Sequence, residues 1–458
     1  MSRQFKTPDY EATLNQTITL RDALPPSHLA RFVVDVIAQL DLSEIYAGYA
    51  PVGGVAFAPE ILLGLLFYGY ATGVFSSRKI ERATYESIPF RFIASGLHPD
   101  HDTLAHFRKT FLTELQELFV QILLLAQEAG VFKLGNISID GSKIHADASK
   151  HNAVSYKRLL ELDIQLRQEV HALLTLGEQA DQGERTLPEG LDLQDELTLR
   201  QERLTHLAQA KAVLELRAQE RAAAEQAEYQ AKVCAREEKA RETGRKPRGR
   251  PPQPPTPGPH EHDQYNFTDP DSRMMKNSTD EGFDQHYNAL VAVDHASLLI
   301  VATTLSNHPN DKHEAEPTVE AISPRLGTPD AAALDNGYWS PGNTKALEDR
   351  GIDAYIATGR EPHHLSWERF FAKQPAPPPA EASPQVKMAY KLQTEIGRTL
   401  YRLRKMTVEP VIGLSKEVLG FRQFSLRGLD AAAGEWCLVC LAFNLKRLHV
   451  LMADSRSA

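Results

Sequence analysis

The chain has little cysteine, no long hydrophobic run and no excess of positive charge. Three cysteines in 458 residues cannot build a disulfide framework, which favours a reducing cytosol. The apolar run Ile61 to Ala71 is too short to span a bilayer, so we expect a buried helix there. The N-terminal segment is polar, and we expect neither export nor membrane anchoring. A formal charge of −9 does not indicate nucleic-acid binding, so local basic clusters must support that interpretation.

The length and composition describe a globular protein of several domains. A chain of 458 residues predicts two to four domains, and 42% hydrophobic with 24% charged residues is typical of soluble proteins. Cys437 and Cys440 form a CxxC pair. Because a zinc site needs four ligands and no second pair follows, we expect two packed residues of one helix.

The first 134 residues are expected to be helical. Pro59 suits a helix start, Ser77–Glu86 is predicted as a second helix, and Asp102 is predicted to cap a long amphipathic stretch that ends at Gly130. Short helices with exposed basic residues fit a helix-turn-helix-like DNA-binding domain. A plain helical bundle fits equally well.

A long insertion is expected in the middle of the chain. Residues 152–243 are rich in Leu, Ala, Glu and Arg and predict a coiled-coil-like hairpin of two helices, 152–176 and 192–242. Such a hairpin is either an arm for protein or DNA contacts or a spacer. Residues 244–264 form a basic, proline-rich linker that is expected to be extended or disordered.

Strand patterns flank this insertion. Ile137 and Ile139 alternate with polar residues and predict a strand that ends at Asp140. "HYNALVAVD" and "LLIVATTLS" predict a β-hairpin, and "DAAALD", a helix capped by Ser340, and "DAYIATG" predict a parallel βαβ unit. This is the element order of a ribonuclease-H-like mixed sheet, in an α+β or α/β fold. It assigns residues 135–151 and 265–453 to one core.

Three carboxylates, Asp140, Asp335 and Glu409, stand at strand ends or on a helix of this core. Phosphodiester cleavage develops charge on the attacking and leaving oxygens, and two divalent ions stabilise both. Mg²⁺ prefers carboxylate oxygens and keeps several waters, so a few carboxylates suffice. The sequence therefore predicts a two-metal site made of these three residues, in which Mn²⁺ may substitute for Mg²⁺. Taken singly, each carboxylate fits a structural or turn role better.

The environment of Glu409 supports this prediction locally. Thr407 is predicted to cap a helix whose first turn contains Glu409 and Pro410, where proline is tolerated. Lys416 follows Glu409 by seven residues and is expected on nearly the same helix face. A carboxylate for metal and a lysine for phosphate would then point the same way.

Several motifs in combination resemble the DDE transposases of bacterial insertion sequences. They are "IDGSKIHADAS", "LSNHPNDKHEAEPTVEAI", "LDNGYWS" and "EPVIGLSKEVLGFRQFSLRGL". The segment "APEILLGLLFYGYATGVFSSRKIERATYE" resembles the helical N-terminal domain of the InsH-like branch. The related signature is Tyr-x2-Arg-x3-Glu-x6-Lys. Tyr401, Arg404, Glu409 and Lys416 follow it except for one extra residue before Glu409, and Lys405 has the regular spacing.

The resemblance implies a Mg²⁺-dependent enzyme that binds terminal inverted repeats, cuts donor DNA and joins the 3′-OH ends to target DNA. Because transposition pairs two DNA ends, we expect a homodimer on DNA. The expected location is the bacterial cytosol, at the nucleoid, without a membrane partner. Two alternatives remain, namely a metal-dependent DNA nuclease and a non-catalytic, architectural DNA-binding protein. DNA binding without metal-dependent cleavage would favour the last.

Two basic clusters are the expected DNA contacts. "KPRGRPP" resembles an AT-hook, in which Arg248 and Arg250 would lie along a narrow minor groove, although a solvated spacer fits as well. The second cluster surrounds Glu409 and would contact backbone phosphates; its predicted DNA-binding members are Tyr401, Arg404, Lys405 and Lys416. Asp311 is expected to cap a helix, with support of the active site as a second possibility.

Overall fold

The structure is a computed structural model that describes residues 19–49, 56–183, 190–243, 249–277, 282–359 and 376–457. It divides into two compact units. The first combines Met1–Ile144 with Tyr287–Ala458, and the second is His145–His286. The elements of the proposed reaction centre lie in the first unit.

The described N-terminal part of the first unit is helical, as expected. Its helices are α1 (Leu29–Ile37), α2 (Ser43–Ala47), α3 (Pro59–Ala71), α4 (Ser77–Glu86), α5 (Ile88–Ile93), α6 (His101–Thr110) and α7 (Leu112–Glu128). The predicted helix at Pro59 and the helix over Ser77–Glu86 are both confirmed. Helix α3 is buried on nearly all sides, which explains its uninterrupted apolar sequence.

The predicted cap at Asp102 is wrong. Asp100 caps α6, because its Oδ1 accepts a hydrogen bond from the Thr103 N–H at 2.6 Å, and Asp102 falls in the first turn. The predicted continuous stretch is also interrupted at Phe111, which leaves the helical conformation. Phe111 is buried against Phe107. Tertiary packing of this ring therefore overrides an otherwise uniform helical pattern.

A mixed sheet forms the centre of the first unit. Its strands are β1 (Ile137–His145), β5 (Phe283–Asp294), β6 (Ile300–Ser306), β7 (Ala331–Leu334) and β8 (Asp353–Ile356), in the order β6-β5-β1-β7-β8. The predicted β5–β6 hairpin is antiparallel, and β1, β7 and β8 are parallel. The mixed α+β architecture is consistent with a DDE transposase domain.

The remaining helices of this unit follow the sheet. They are α10 (Ala315–Glu320), α11 (Pro341–Asp349), α12 (Pro384–Gln393), α13 (Glu395–Gly413) and α14 (Leu429–Ser457). Ser340 caps α11 as predicted, since its Oγ accepts a hydrogen bond from the Asn343 N–H at 2.9 Å. Helix α13 packs on β7 and β8 and carries one side of the candidate site.

Helix α14 is the core helix of the first unit. Within the described chain it alone is long and apolar enough to cross a membrane by length and composition, and 61% of its apolar window is buried in the protein. It packs on α3, α7 and β6. Cys437 and Cys440 are buried along it, which confirms them as packed helix residues.

The second unit contains the two predicted long helices, α8 (Tyr156–Asp181) and α9 (Leu193–Thr243), which pack on each other. At their base, β2 (Ala153–Ser155) pairs antiparallel with β3 (Gln264–Asn266), and β4 (Arg273–Lys276) pairs with the start of β5. The apolar core joins both helices to β2; its members are Val154, Leu159, Leu166, Leu207, Ala210 and Leu214. A coiled-coil register stays a prediction.

Candidate active site

The parallel register of β1 and β7 brings Asp140 and Asp335 together. Ile139 and Leu334 are paired Cα positions, and they are the last pair of that ladder. Asp140 and Asp335 are the next residues on the two strands, so they leave the ladder side by side at its carboxyl end. Two residues that are 195 positions apart in sequence thereby become neighbours, which is the type of convergence the sequence predicts.

The prediction that β1 ends at Asp140 is wrong. The strand continues to His145, because β1 keeps β5 as a neighbour after β7 has ended. Asp140 Oδ1 accepts the Gly141 N–H at 2.9 Å. Asp335 instead follows the end of β7, and its Oδ1 accepts the Gly337 N–H at 3.1 Å at the start of a 3₁₀ turn. The Asp335 carboxylate is therefore oriented by the turn that follows it.

Arg404 links the sheet to Glu409. Its Nη1 lies 2.8 Å from Asp140 Oδ2, and its Nη2 lies 3.2 Å from Glu409 Oε1. The Arg404 side chain is only 7% exposed, whereas that of Glu409 is 48% exposed. One buried guanidinium therefore binds two of the three predicted carboxylates, and it also interacts electrostatically with Asp335.

The predicted helix start at Thr407 is wrong. Helix α13 begins at Glu395 with Thr394 as its cap, so Pro410 lies inside the helix. Thr407 is buried, and its hydroxyl donates to the Leu403 carbonyl at 2.9 Å. A proline preceded by a capping residue type suggests a first turn, but the upstream residues here continue the helix.

Lys416 contacts β1, the strand that carries Asp140, but it does not lie on the regular helix that the sequence predicts. Leu414–Val418 forms a π-helical turn, which alters the spacing expected from a regular helix. The Lys416 ammonium lies 2.9 Å from the Ser142 Oγ and 3.2 Å from the Lys143 carbonyl oxygen. Burial lowers the pKa of Lys416. This cation therefore flanks the carboxylates, two residues beyond Asp140 on β1.

The carboxylates repel one another. Burial raises the pKa of Asp140 to about 6; the Arg404 guanidinium opposes the rise, and Asp335 and Asp311 add to it. Burial likewise raises the pKa of Asp311, with contributions from Glu314 and Asp335. Asp311 is thus a member of the electrostatic cluster. Sequence reasoning favoured a helix cap, and the "HPNDKH" context alone does not separate the two roles.

The side chains that converge here are of the chemical type that binds hard divalent cations. The converging groups are carboxylates, and the nearby Tyr338 hydroxyl is buried without a hydrogen-bond partner. Within the described ranges, no three His, Cys, Asp or Glu side chains already form a group able to hold a metal ion. The Arg404 guanidinium forms ion pairs with Asp140 and Glu409, two of the three predicted metal ligands.

The other predicted DNA-binding residues differ in exposure. Lys405 is exposed, Tyr401 is half-buried with Arg404 5.7 Å from the centre of its ring, and Arg404 itself is buried. In the AT-hook-like segment, Arg250 is exposed and Gly249 has a φ of 105°. Arg248 lies outside the described residues.

Two family models match the chain. Residues 18–110 match a model described as a transposase domain (DUF772), and residues 378–449 match a transposase DDE domain. The second match includes Arg404, Glu409 and Lys416, while Asp140 and Asp335 lie outside both. Neither the curated proteins nor the solved structures gave a match. The two matches support the identification of this chain as a DDE transposase of an insertion sequence.

Proposed function

We propose that the protein cuts donor DNA at terminal inverted repeats and joins the 3′-OH ends to target DNA by two-metal phosphoryl transfer. The observation that supports this most is the register of β1 and β7, which leaves Asp140 and Asp335 side by side. Arg404 connects Asp140 to Glu409, so the three carboxylates share one region. A transposase function and polynucleotidyl transfer follow from the family matches.

Asp140, Asp335 and Glu409 are the residues proposed to hold the divalent ions, Mg²⁺ or Mn²⁺. These ions, when bound, would stabilise charge on the attacking and leaving oxygens of the phosphodiester. Asp140 must be ionised to take part, and its raised pKa of about 6 leaves it ionised at neutral pH. Asp335 is held in place by the Gly337 N–H, so both sheet carboxylates are oriented by backbone amides next to them.

Arg404 is proposed to change partners during the reaction. Its guanidinium is held by Asp140 and Glu409, the groups that a cation would take over. A guanidinium released in this way can bind a DNA phosphate in bidentate fashion. Lys416 and exposed Lys405 would contact neighbouring phosphates, and Tyr401 would flank them. This arrangement gives the signature residues one common task, which is to position the DNA backbone.

We also propose that the catalytic core is ribonuclease-H-like and that the N-terminal domain binds DNA as in the InsH-like branch. The protein is proposed to act on DNA as a homodimer. Arg248 and Arg250 are proposed to contact an A/T-rich minor groove. The proposed site of action is the bacterial cytosol, at the nucleoid.

The test is cleavage of a labelled DNA fragment that carries the ends of the protein's own element, with and without Mg²⁺. We expect metal-dependent cutting at the element boundary by the wild type and by Asp330→Ala, and none by Asp335→Ala. Asp330 is exposed and precedes β7 at the opposite end from Asp335, so it is a matched control. Binding without cutting in any metal would indicate an architectural protein. Cutting at random positions would indicate a nuclease.

A further inference from the structure

We propose that Asp311 and the Tyr338 hydroxyl belong to the cation site, Asp311 as a fourth carboxylate ligand and Tyr338 as the hydrogen-bond partner of a water on the hydrated divalent ion. This inference rests on the proposed function. It adds two residues that the transposase signature does not contain.

Asp311 is fixed between the two backbone segments that carry Asp140 and Asp335. Its Oδ1 accepts a hydrogen bond from Asn288 Nδ2 at 2.7 Å. A Cβ atom at Gly141 would lie 3.5 Å from this oxygen, and a Cβ at Gly337 would lie 3.5 Å from Asp311 Oδ2. The two oxygens of Asp311 therefore face the residue after Asp140 and the turn after Asp335.

The two glycines make this close approach possible. At Gly141 a side chain would also lie 3.0 Å from the Asn288 side-chain oxygen, which is tighter than ordinary packing. Asn288 is buried on β5, next to β1 in the sheet, so it has little room to move. The backbone at Gly141 is thus kept bare beside Asn288, Leu290 and Asp311, and a strand glycine of this kind is one of the places where a ligand or another chain segment approaches closely.

Tyr338 supplies an independent observation. Its ring is fully buried, yet among the residues that the structure describes its hydroxyl has no hydrogen-bond partner. Burial raises the pKa of Tyr338, and the next largest contributions come from Asp311 and Asp140. The hydroxyl therefore keeps its proton and lies in the field of these carboxylates. A buried donor without a hydrogen-bond partner destabilises the folded state, and a hydrogen bond to an ordered water would remove this penalty.

Glu314 does not share this role, although it is near. Its carboxylate is buried and bonded to His308, with Glu314 Oε1 2.6 Å from the imidazole Nδ1. Asp311 accepts a hydrogen bond from the Asn288 amide and also interacts electrostatically with Lys143. The carboxylate that faces Asp140 and Asp335 is therefore Asp311.

The experiment is Mn²⁺ binding by the full-length protein without DNA, measured by calorimetry and by loss of the free Mn²⁺ resonance signal. Asp311→Asn keeps the acceptor for Asn288 while removing the charge. We expect it to weaken Mn²⁺ binding by about ten- to a hundredfold, as Asp335→Asn should. Tyr338→Phe should weaken binding by a smaller factor, about tenfold at most. Asp330→Asn and Tyr70→Phe are controls that should bind as the wild type does.

The outcomes separate this inference from the proposed function. Weakened binding by Asp335→Asn with unchanged binding by Asp311→Asn would overturn the role of Asp311 and leave the proposed function intact. Unchanged binding by Tyr338→Phe would overturn the role of the hydroxyl. Absence of Mn²⁺ binding by the wild type would overturn both proposals. Melting temperatures of each variant in EDTA distinguish loss of a ligand from loss of the fold.

Discussion

Two polar clusters of the first unit each place a buried tyrosine and a buried arginine beside carboxylates, but they differ in how fully the carboxylates are matched. In the Glu435 cluster (Tyr70, Arg108, Ser425, Glu435), Glu435 accepts the Tyr70 hydroxyl at 3.0 Å and the Ser425 N–H at 2.8 Å. The Arg108 Nη1 donates to the Tyr70 hydroxyl at 2.7 Å. The one carboxylate is matched by one guanidinium and by backbone amides.

The Asp140 cluster (Asp140, Asp311, Asp335, Tyr338, Arg404 and Glu409) is not balanced in this way. Burial and neighbouring carboxylates raise the pKa of Asp140 and of Asp311, and the Tyr338 hydroxyl has no hydrogen-bond partner among the described residues. A buried cluster whose carboxylate is matched by cations and donors fixes one packing arrangement, whereas a cluster with excess negative charge retains affinity for a cation. The comparison therefore distinguishes a structural polar core from the proposed reaction site without reference to sequence motifs.

The largest predicted effect is on the balanced cluster. Glu435→Ala leaves Arg108 buried without its carboxylate, and we expect a loss of about 3–5 kcal/mol in the free energy of unfolding. Urea denaturation measures it. Glu409→Ala is the matched change in the other cluster. Glu409 is about half exposed and Arg404 keeps its ion pair with Asp140, so the loss should be under about 1 kcal/mol. Equal losses from the two variants would contradict the distinction.

Asp140→Asn tests the excess charge through pH. The folded pKa of about 6 is above the ordinary value of 3.8, so the native state holds the proton more tightly than the unfolded chain. Stability of the wild type in EDTA should therefore fall as pH rises from about 4 to about 6, by an amount on the order of 1–3 kcal/mol. The Asn variant should show a smaller fall, because the raised pKa of Asp311 remains. A decline of the same size in the variant would show that another group causes it.

Replacing either of the two buried tyrosines should change stability by a smaller amount, and the two replacements should act in different directions. Tyr70→Phe removes a bonded hydroxyl and leaves Arg108 with an unmet donor, which should cost about 1–3 kcal/mol in EDTA. Tyr338→Phe removes an unpartnered hydroxyl and should cost nothing or stabilise the protein. Thermal unfolding of both variants measures this. A loss at Tyr338 equal to that at Tyr70 would mean that its hydroxyl has a partner in the folded protein.

The variant with the smallest expected change in the free energy of unfolding should show a large loss of DNA cleavage. Glu409→Gln changes an exposed member of an ion pair, so the free energy of unfolding should shift by less than about 1 kcal/mol. Loss of a metal-binding carboxylate should nevertheless reduce end cleavage by about a hundredfold or more, equivalent to several kcal/mol. The measurement is single-turnover cutting of a labelled end. Cleavage within a few-fold of the wild-type rate would remove Glu409 from the proposed centre.

The sheet was more predictable than the helix that completes the site. The strands around Ile139 and Leu334 follow local alternation or short buried runs, and parallel order follows from the intervening helix. Glu409 was assigned correctly to a helix, but the helix start at Thr407 was wrong. A proline near a threonine has the same local signature at a helix start and inside a helix that packing stabilises.

Other errors have the same origin in tertiary structure. Asp140 suggested a strand end because Asp-Gly is a turn signal, yet β5 continues alongside β1 beyond it. Asp100 and Asp102 are equivalent as capping residues in sequence, and only the backbone bond to Thr103 selects Asp100. Asp311 was placed as a cap because its relation to Asp335 depends on a loop and a 3₁₀ turn. No local pattern encodes that relation.

The central claim is that chain segments far apart in sequence meet at one cation site, and Fe²⁺-directed hydroxyl-radical cleavage of the protein backbone tests it most directly. Fe²⁺ bound in place of Mg²⁺ should cut the chain near Asp140, Asp335 and Asp311, and all cuts should disappear together in Asp335→Ala. Cuts confined to one of these segments, or located only around His260 and His262 in the linker, would contradict the account.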